Sequence, residues 1–220
     1  MKVFDLPYST EVNKVVPKNA FETYSSPKQK KQFIELVQKI TWLNKLSVET
    51  TNLNSIEIKE IQIFHFELKS KQKIDSLITV VDKAIPYPIV FIISIENEYY
   101  ISTSKKHLHP LNQDNAIIDW RFESEWILKE DNKFNFNLKK NLDEVFFDFC
   151  NQLVSPSKQK LKTVEELVEY DKNVSSISRE INRLDIAIKN SKQFNKKVEL
   201  NMELKRAEQK LNDIIKYKIY

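Results

Sequence analysis

EIQIFHFELK, residues 60–69, decides the fold. β-Branched and aromatic residues dominate it, and its apolar side chains fall on both faces between 61 and 66. That is the pattern of a strand buried on both sides at its middle and wetter at its ends. Side chains alternate with a period of two, so the extended chain lines up His65, Glu67 and Lys69 along one face. A glutamate two residues before a lysine on a strand is how many metal-dependent nucleases carry a metal ligand and its neighbouring lysine. An ordinary edge strand looks the same, and the surrounding chain has to decide between them.

Upstream, SSPKQKKQFIELVQKITWLNKL offers Ser26 as N-cap and Pro27 at the first helical position. Phe33, Leu36, Val37, Ile40 and Leu43 follow at helical spacing, which predicts a helix from about 27 to 46. The opening FDLPYSTEVNKVVPKNAF reads as an extended segment with turns. Downstream, KIDSLITVVDKAI predicts a second helix with Ile74, Leu77, Ile78, Val81 and Ile85 on one side, ended by PYP at 86–88. IVFIISI and YYISTS flank a short ENE loop around Asn97, which suits a hairpin. AIIDWRFESEWIL reads as a further strand, and NLDEVFFDFCNQLV as a helix with Asn141 or Asp143 near its cap.

Composition changes at SPSKQK, residues 155–160. From about 164 onward there are no prolines or tryptophans, and apolar residues step by three and four: Leu167, Tyr170, Val174, Ile177, Ile181, Leu184 and Ile188. After a polar break, KNSKQFNKK, the pattern resumes at Leu200, Leu204, Ala207, Leu211 and Ile214. This predicts two helices of roughly 23 to 26 residues, about 35 to 40 Å long, folding back as an antiparallel, coiled-coil-like hairpin. The expected fold class is therefore α+β. A mixed sheet with helices occupies about residues 1–154, a linker 155–163, and the helical hairpin 164–220. A two-helix seam buries little area, so the hairpin is expected to pack on the first domain, a second copy or a partner protein.

The chain has no glycine at all, and backbone loops that wrap a phosphate need glycine's positive-φ freedom or missing side chain. Walker loops, dinucleotide fingerprints, nucleophile elbows and kinase glycine loops are thereby excluded. A single cysteine, Cys150, excludes an internal disulfide and a Cys-rich zinc site and fits a reducing compartment. No segment of signal-peptide or membrane-span character is present, so a cytoplasmic protein is expected. A net charge of +4 is too small to indicate nucleic acid by itself. From Lys158 onward, 15 Lys and Arg face 10 Asp and Glu, so the basic bias belongs to the helices, with Lys192, Lys196 and Lys197 clustered near the hairpin tip.

Glu67 and Lys69 supply only part of a nuclease site, which needs a further carboxylate to share Mg²⁺. The segment before residue 56 reads as helix and loop, with no Asp-bearing strand to provide it. The bland alternative is an exposed ion pair at a strand end. His107 and His109 lack a third metal ligand and read as a turn. Tyr99 and Tyr100, with Lys105 and Lys106 nearby, offer either a platform for bases and phosphates or ordinary cross-strand packing. No metal or cofactor is expected outside the Mg²⁺-nuclease alternative.

Four ordered blocks, LPYSTEVNKVVPKNAF, ITWLNKLSVETTNL, EIQIFHFELK and VDKAIPYPIVFII, resemble an uncharacterised bacterial family, a domain of unknown function, across roughly residues 4–153. The matching residues include Ser9, Thr10, Lys14, Pro17, Lys18, Trp42, Lys45, Glu67, Lys69, Asp82, Lys83, Pro86 and Pro88. Lys14, Lys18 and Lys45 are polar where packing would not require it, which makes them candidate binding residues. The resemblance implies an accessory subunit encoded beside helicases and DNA methyltransferases in restriction-like or antiphage loci. The expectation is a scaffold for a DNA-processing complex, holding a helicase or methyltransferase through its hairpin seam. Direct DNA contact, and association of copies through the hairpin, are the alternatives.

Overall fold

In the computed structural model, which describes residues 3–215 apart from the side chains of 112–114, strand formation follows the β-branched and aromatic runs. The elements are β1 (Glu11–Val15), α1 (Pro27–Leu36), β2 (Val37–Ser47), α2 (Val48–Thr51), β3 (Glu60–Leu68), α3 (Asp75–Ala84), β4 (Ile89–Ile95), β5 (Glu98–His109), β6 (Asn112–Glu123), β7 (Ile127–Leu128), α4 (Leu142–Leu153), α5 (Val164–Asn190) and α6 (Phe194–Ile214). Short 3-10 turns occupy Tyr8–Thr10, Lys18–Tyr24 and Lys129–Asp131. Residues up to Leu153 form one unit and those from Val154 a second.

The strands form one mixed sheet in the order β1-β2-β3-β4-β5-β6, with β7 also on β5. Only β3 and β4 run parallel, and α3 makes the crossover between them; the other neighbours are antiparallel. β3 lies between β2 and β4, and residues 61–66 are all buried, as the two-sided apolar run requires. Phe64, Phe66 and Leu68 enter a core with Phe33 of α1 and Leu77, Ile78 and Val81 of α3. Ile61, Ile63, His65 and Glu67 take the opposite face, which β4 continues through Ile92 and Ser94. Phe4, Phe136 and Phe149 of α4 pack there as an aromatic cluster, with Phe136 and Phe149 stacked at 4.3 Å.

The predicted helix over 27–46 is half right. Ser26 accepts from the Gln29 amide and the Gln29 side chain returns to the Ser26 backbone, a capping box with Pro27 behind it. The helix stops at Leu36, and the chain passes directly into β2. Val37, Ile40, Thr41 and Trp42 satisfy the strand's preferences as well as the helical spacing, and pairing along β3 decides between the two. The sequence before residue 56 thus contains two strands, β1 and β2. α4 begins as expected, with the Asn141 side chain accepting from the Glu144 amide at 2.9 Å. The Asp143 carboxylate accepts from the amides of Ile56, Glu57 and Ile58 at 2.8, 3.0 and 3.1 Å, tying down the loop that leads into β3. With no glycine available, the β4–β5 turn places Glu96 at φ 48°, and Asn52 ends α2 at φ 58°.

In the second unit, α5 and α6 form the expected hairpin. Thr163 caps α5 by accepting from the Glu166 amide at 3.2 Å. Ser157 bridges to Ile215, and the Lys158 amide donates to the Ile214 carbonyl at 3.1 Å, so the segment before α5 is tied to the end of α6. The hairpin was expected to run through residue 220; residues 216–220 lie outside the described residues.

Candidate functional site

Strand register decides what surrounds Glu67. It stands opposite Lys39 of β2 and beside Ser94 of β4. Its carboxylate is 3.9 Å from the Lys39 ammonium and 3.9 Å from His65 Nδ1. Lys69 is spent elsewhere, donating from Nζ to the Ile34 carbonyl at 2.8 Å. A nuclease of the Glu-x-Lys kind needs a second carboxylate on the adjoining strand. That strand exists, contrary to the sequence reading, but at the critical register it carries a lysine. Among the described residues no group of three or more His, Cys, Asp and Glu side chains is placed to share an ion.

Ser94, His65 and Glu67 follow one another in the order of a nucleophile, a base and its orienting acid. His65 Nε2 and Ser94 Oγ share a hydrogen bond of 2.7 Å. The imidazole-to-Glu67 separation of 3.9 Å is too long for a second hydrogen bond. Both His65 and Ser94 are only 5% exposed, so no substrate reaches them. Burial holds the imidazole neutral by pulling its pKa from 6.5 to about 4. The arrangement is an internal hydrogen-bonded pair joining β3 to β4.

A second polar cluster lies between α3 and the β5–β6 part of the sheet. Asp82 is fully buried, and Lys106 meets it at 2.7 Å. The Lys106 ammonium also donates to the carbonyls of Asp82 and Ile85 at 2.7 and 2.8 Å, satisfying the end of α3. Arg121 donates to Thr79 Oγ1 at 3.0 Å and approaches Asp82 Oδ2 at 3.4 Å. Burial pulls the Lys106 pKa down against the pull of Asp82. Tyr99 and Tyr100 are fully buried, so the base-stacking alternative is corrected: these tyrosines are core, and Lys106 is an internal clamp. His107 and His109 belong to β5 rather than a turn, with His107 Nδ1 2.9 Å from Asp119.

The remaining sequence candidates are scattered. Lys45 is engaged by Glu60 at 2.8 Å, a hydrogen bond that raises its pKa. Lys14 is exposed on β1, opposite Trp42. Lys18 is half-buried in the 18–24 turn. Several matching residues are architectural: Ser9 Oγ donates to the Thr50 carbonyl at 2.7 Å, and Thr10 Oγ1 accepts from Asn44 at 2.9 Å.

In the hairpin the seam is covered unevenly. Leu167, Val174, Leu184 and Ala207 are buried, whereas Ile177, Ile181, Ile188, Leu200, Leu204, Leu211 and Ile214 are half-exposed. The sequence reading missed a further apolar stripe. Phe194, Val198 and Met202 are 78%, 44% and 54% exposed and recur at i, i+4 and i+8, on one face of α6. Ile186 of α5 is 59% exposed in the last turns before the same connection. Lys192, Lys196 and Lys197 lie exposed among them. The signal was present as four-residue spacing, but the lysines and asparagines between made the segment read as a polar break.

The family model described as a domain of unknown function (DUF4391) matches residues 4–211, so the match runs through the sheet unit and most of α6. No curated protein matches the chain, and no solved structure does.

Proposed function

The chain belongs to this domain-of-unknown-function family, and we propose that it acts as a non-catalytic subunit that assembles a DNA-processing complex through the tip of its helical hairpin. The observation that carries the reading is the exposed stripe of Phe194, Val198 and Met202, next to a seam that is itself half-open. Contiguous apolar side chains in water are costly and mark interaction surfaces. A helix offering residues at i, i+4 and i+8 fits an apolar groove. Lys192, Lys196 and Lys197 favour a groove with an acidic rim. The partner class, a helicase or a DNA methyltransferase, rests on the resemblance of the four sequence blocks. Among the described residues no helix is long and apolar enough to cross a membrane.

The test is co-elution on size exclusion of the full chain with a helicase and a DNA methyltransferase sought among the products of its neighbouring genes. Wild type is compared with a Phe194→Glu/Met202→Glu double variant. The proposal expects a complex with one of the two proteins that the double variant fails to form. Absence of any complex, or equal co-elution of the variant, contradicts it. Concentration-dependent dimerisation that the variant abolishes would assign the tip to a second copy and also overturn the partner reading.

A further inference from the structure

Just past the carboxyl end of β3, Lys69 turns back onto α1. A pocket of about 200 Å³ lies between the 18–24 turn and α1, lined by Lys18, Asn19, Glu22, Ser25, Lys30, Phe33 and Ile34. Ile34 links it to Lys69, whose ammonium donates to the Ile34 carbonyl at 2.8 Å.

Two lysines, Lys18 and Lys30, and one carboxylate, Glu22, line this pocket, and Lys69 stands beside it through Ile34. None of Lys18, Lys30 and Lys69 forms an ion pair among the described residues. Lys69 bonds only to a neutral carbonyl, while Lys39, Lys45, Lys71 and Lys73 all have carboxylate partners. Lys18 is destabilised as a cation, first by burial and then by repulsion from Lys69. Lys30 and Lys69 are exposed and Lys18 is half-buried, and an anion held among them relieves the repulsion between like charges.

We propose that the Lys18–Lys30–Lys69 pocket binds a phosphoryl-type oxyanion. Lysine serves such anions as a point charge with rotatable donors, and three ammoniums match several oxygens better than the two of a carboxylate. The Asn19 amide adds a neutral donor to the wall. Water occupies roughly 30 Å³ per molecule in the liquid, so the pocket admits an oxyanion with a few waters. The phosphoryl group belongs either to a nucleic-acid backbone or to free phosphate.

The experiment uses the full chain with two probes, inorganic phosphate and a duplex DNA oligonucleotide, and compares wild type with Lys18→Met/Lys69→Met. Lys205→Met on the hairpin is the control. Phosphate is expected to raise the melting temperature of wild type and of the control, above any effect of chloride at equal ionic strength, and to leave the double variant unmoved. If the source is nucleic acid, the double variant also loses at least about tenfold in DNA affinity, the size of lost charge-assisted hydrogen bonds. Its slope of log affinity against log salt then falls by about 2. A phosphate response without the DNA response identifies a small phosphate as ligand. Without phosphate, Lys18→Met should melt no lower than wild type, since it removes a repelled charge. Should Lys69→Met fail to fold for want of its bond to Ile34, Lys18→Gln/Lys30→Gln carries the same test. Equal phosphate shifts in wild type and variant, or no shift in either, together with unchanged DNA affinity, would overturn the proposal.

Discussion

The sheet unit and the hairpin solve the burial problem in opposite ways. In the sheet unit, helices α1 and α3 cover one face of β3 and the aromatic cluster of Phe4, Phe136 and Phe149 lies on the other side, with His65 and Asp82 inside held by Ser94 and Lys106. In the hairpin, two helices share a seam only partly shut, and an apolar stripe of α6 stays in water. A small two-helix unit buries too little surface to close on itself. What remains open on it is available to a second protein. Under the proposed function, the difference separates residues kept for stability, which lie in the sheet unit, from exposed apolar residues whose cost a partner would offset.

The sharpest way to break this contrast is to attack the buried clamp. Asp82→Ala leaves the Lys106 ammonium buried without its counter-ion and should destabilise the protein by about 3–5 kcal/mol, measured by urea unfolding. A loss below about 1 kcal/mol would mean that water reaches the cluster. His65 gives the next largest effect, and its sign is fixed by the direction of its shift. The unfolded chain takes up a proton near pH 6.5 and the native one only near 4. Stability is complete above pH 6.5 and falls as pH drops towards 4, by about 3 kcal/mol in all. His65→Gln should flatten that part of the stability–pH curve, and an unchanged curve would refute the buried neutral imidazole.

Smaller effects sharpen the comparison. Ser26→Ala removes the cap of α1 and should cost about 1 kcal/mol in denaturant unfolding. Phe194→Glu and Met202→Glu should each change stability by less than about 0.5 kcal/mol, because their side chains already face water. A loss of 2 kcal/mol at either position would show that the stripe is part of a closed core.

Much of this contrast was legible in the sequence. The two-sided apolar run of β3, the cap of α1, the β4–β5 turn and the heptads of α5 and α6 are local signals, and local pairing honours them. β2 was misread because Val37 and Ile40 fit helical and strand spacing alike, and only the partner strand chooses between them. The fate of Lys106 was not legible either, since its partner Asp82 lies 24 positions away on a different element. Lys69 looked like half of a catalytic pair by sequence proximity to Glu67, yet the end of α1 takes its ammonium.

The decisive experiment is hydrogen exchange on the full chain alone and in mixture with the proposed partner class, a helicase or a DNA methyltransferase. The account predicts that new protection concentrates between Ile186 and Met202 and disappears with Phe194→Glu/Met202→Glu. Protection confined to the sheet unit, with the hairpin tip exchanging as it does in the free chain, would contradict it.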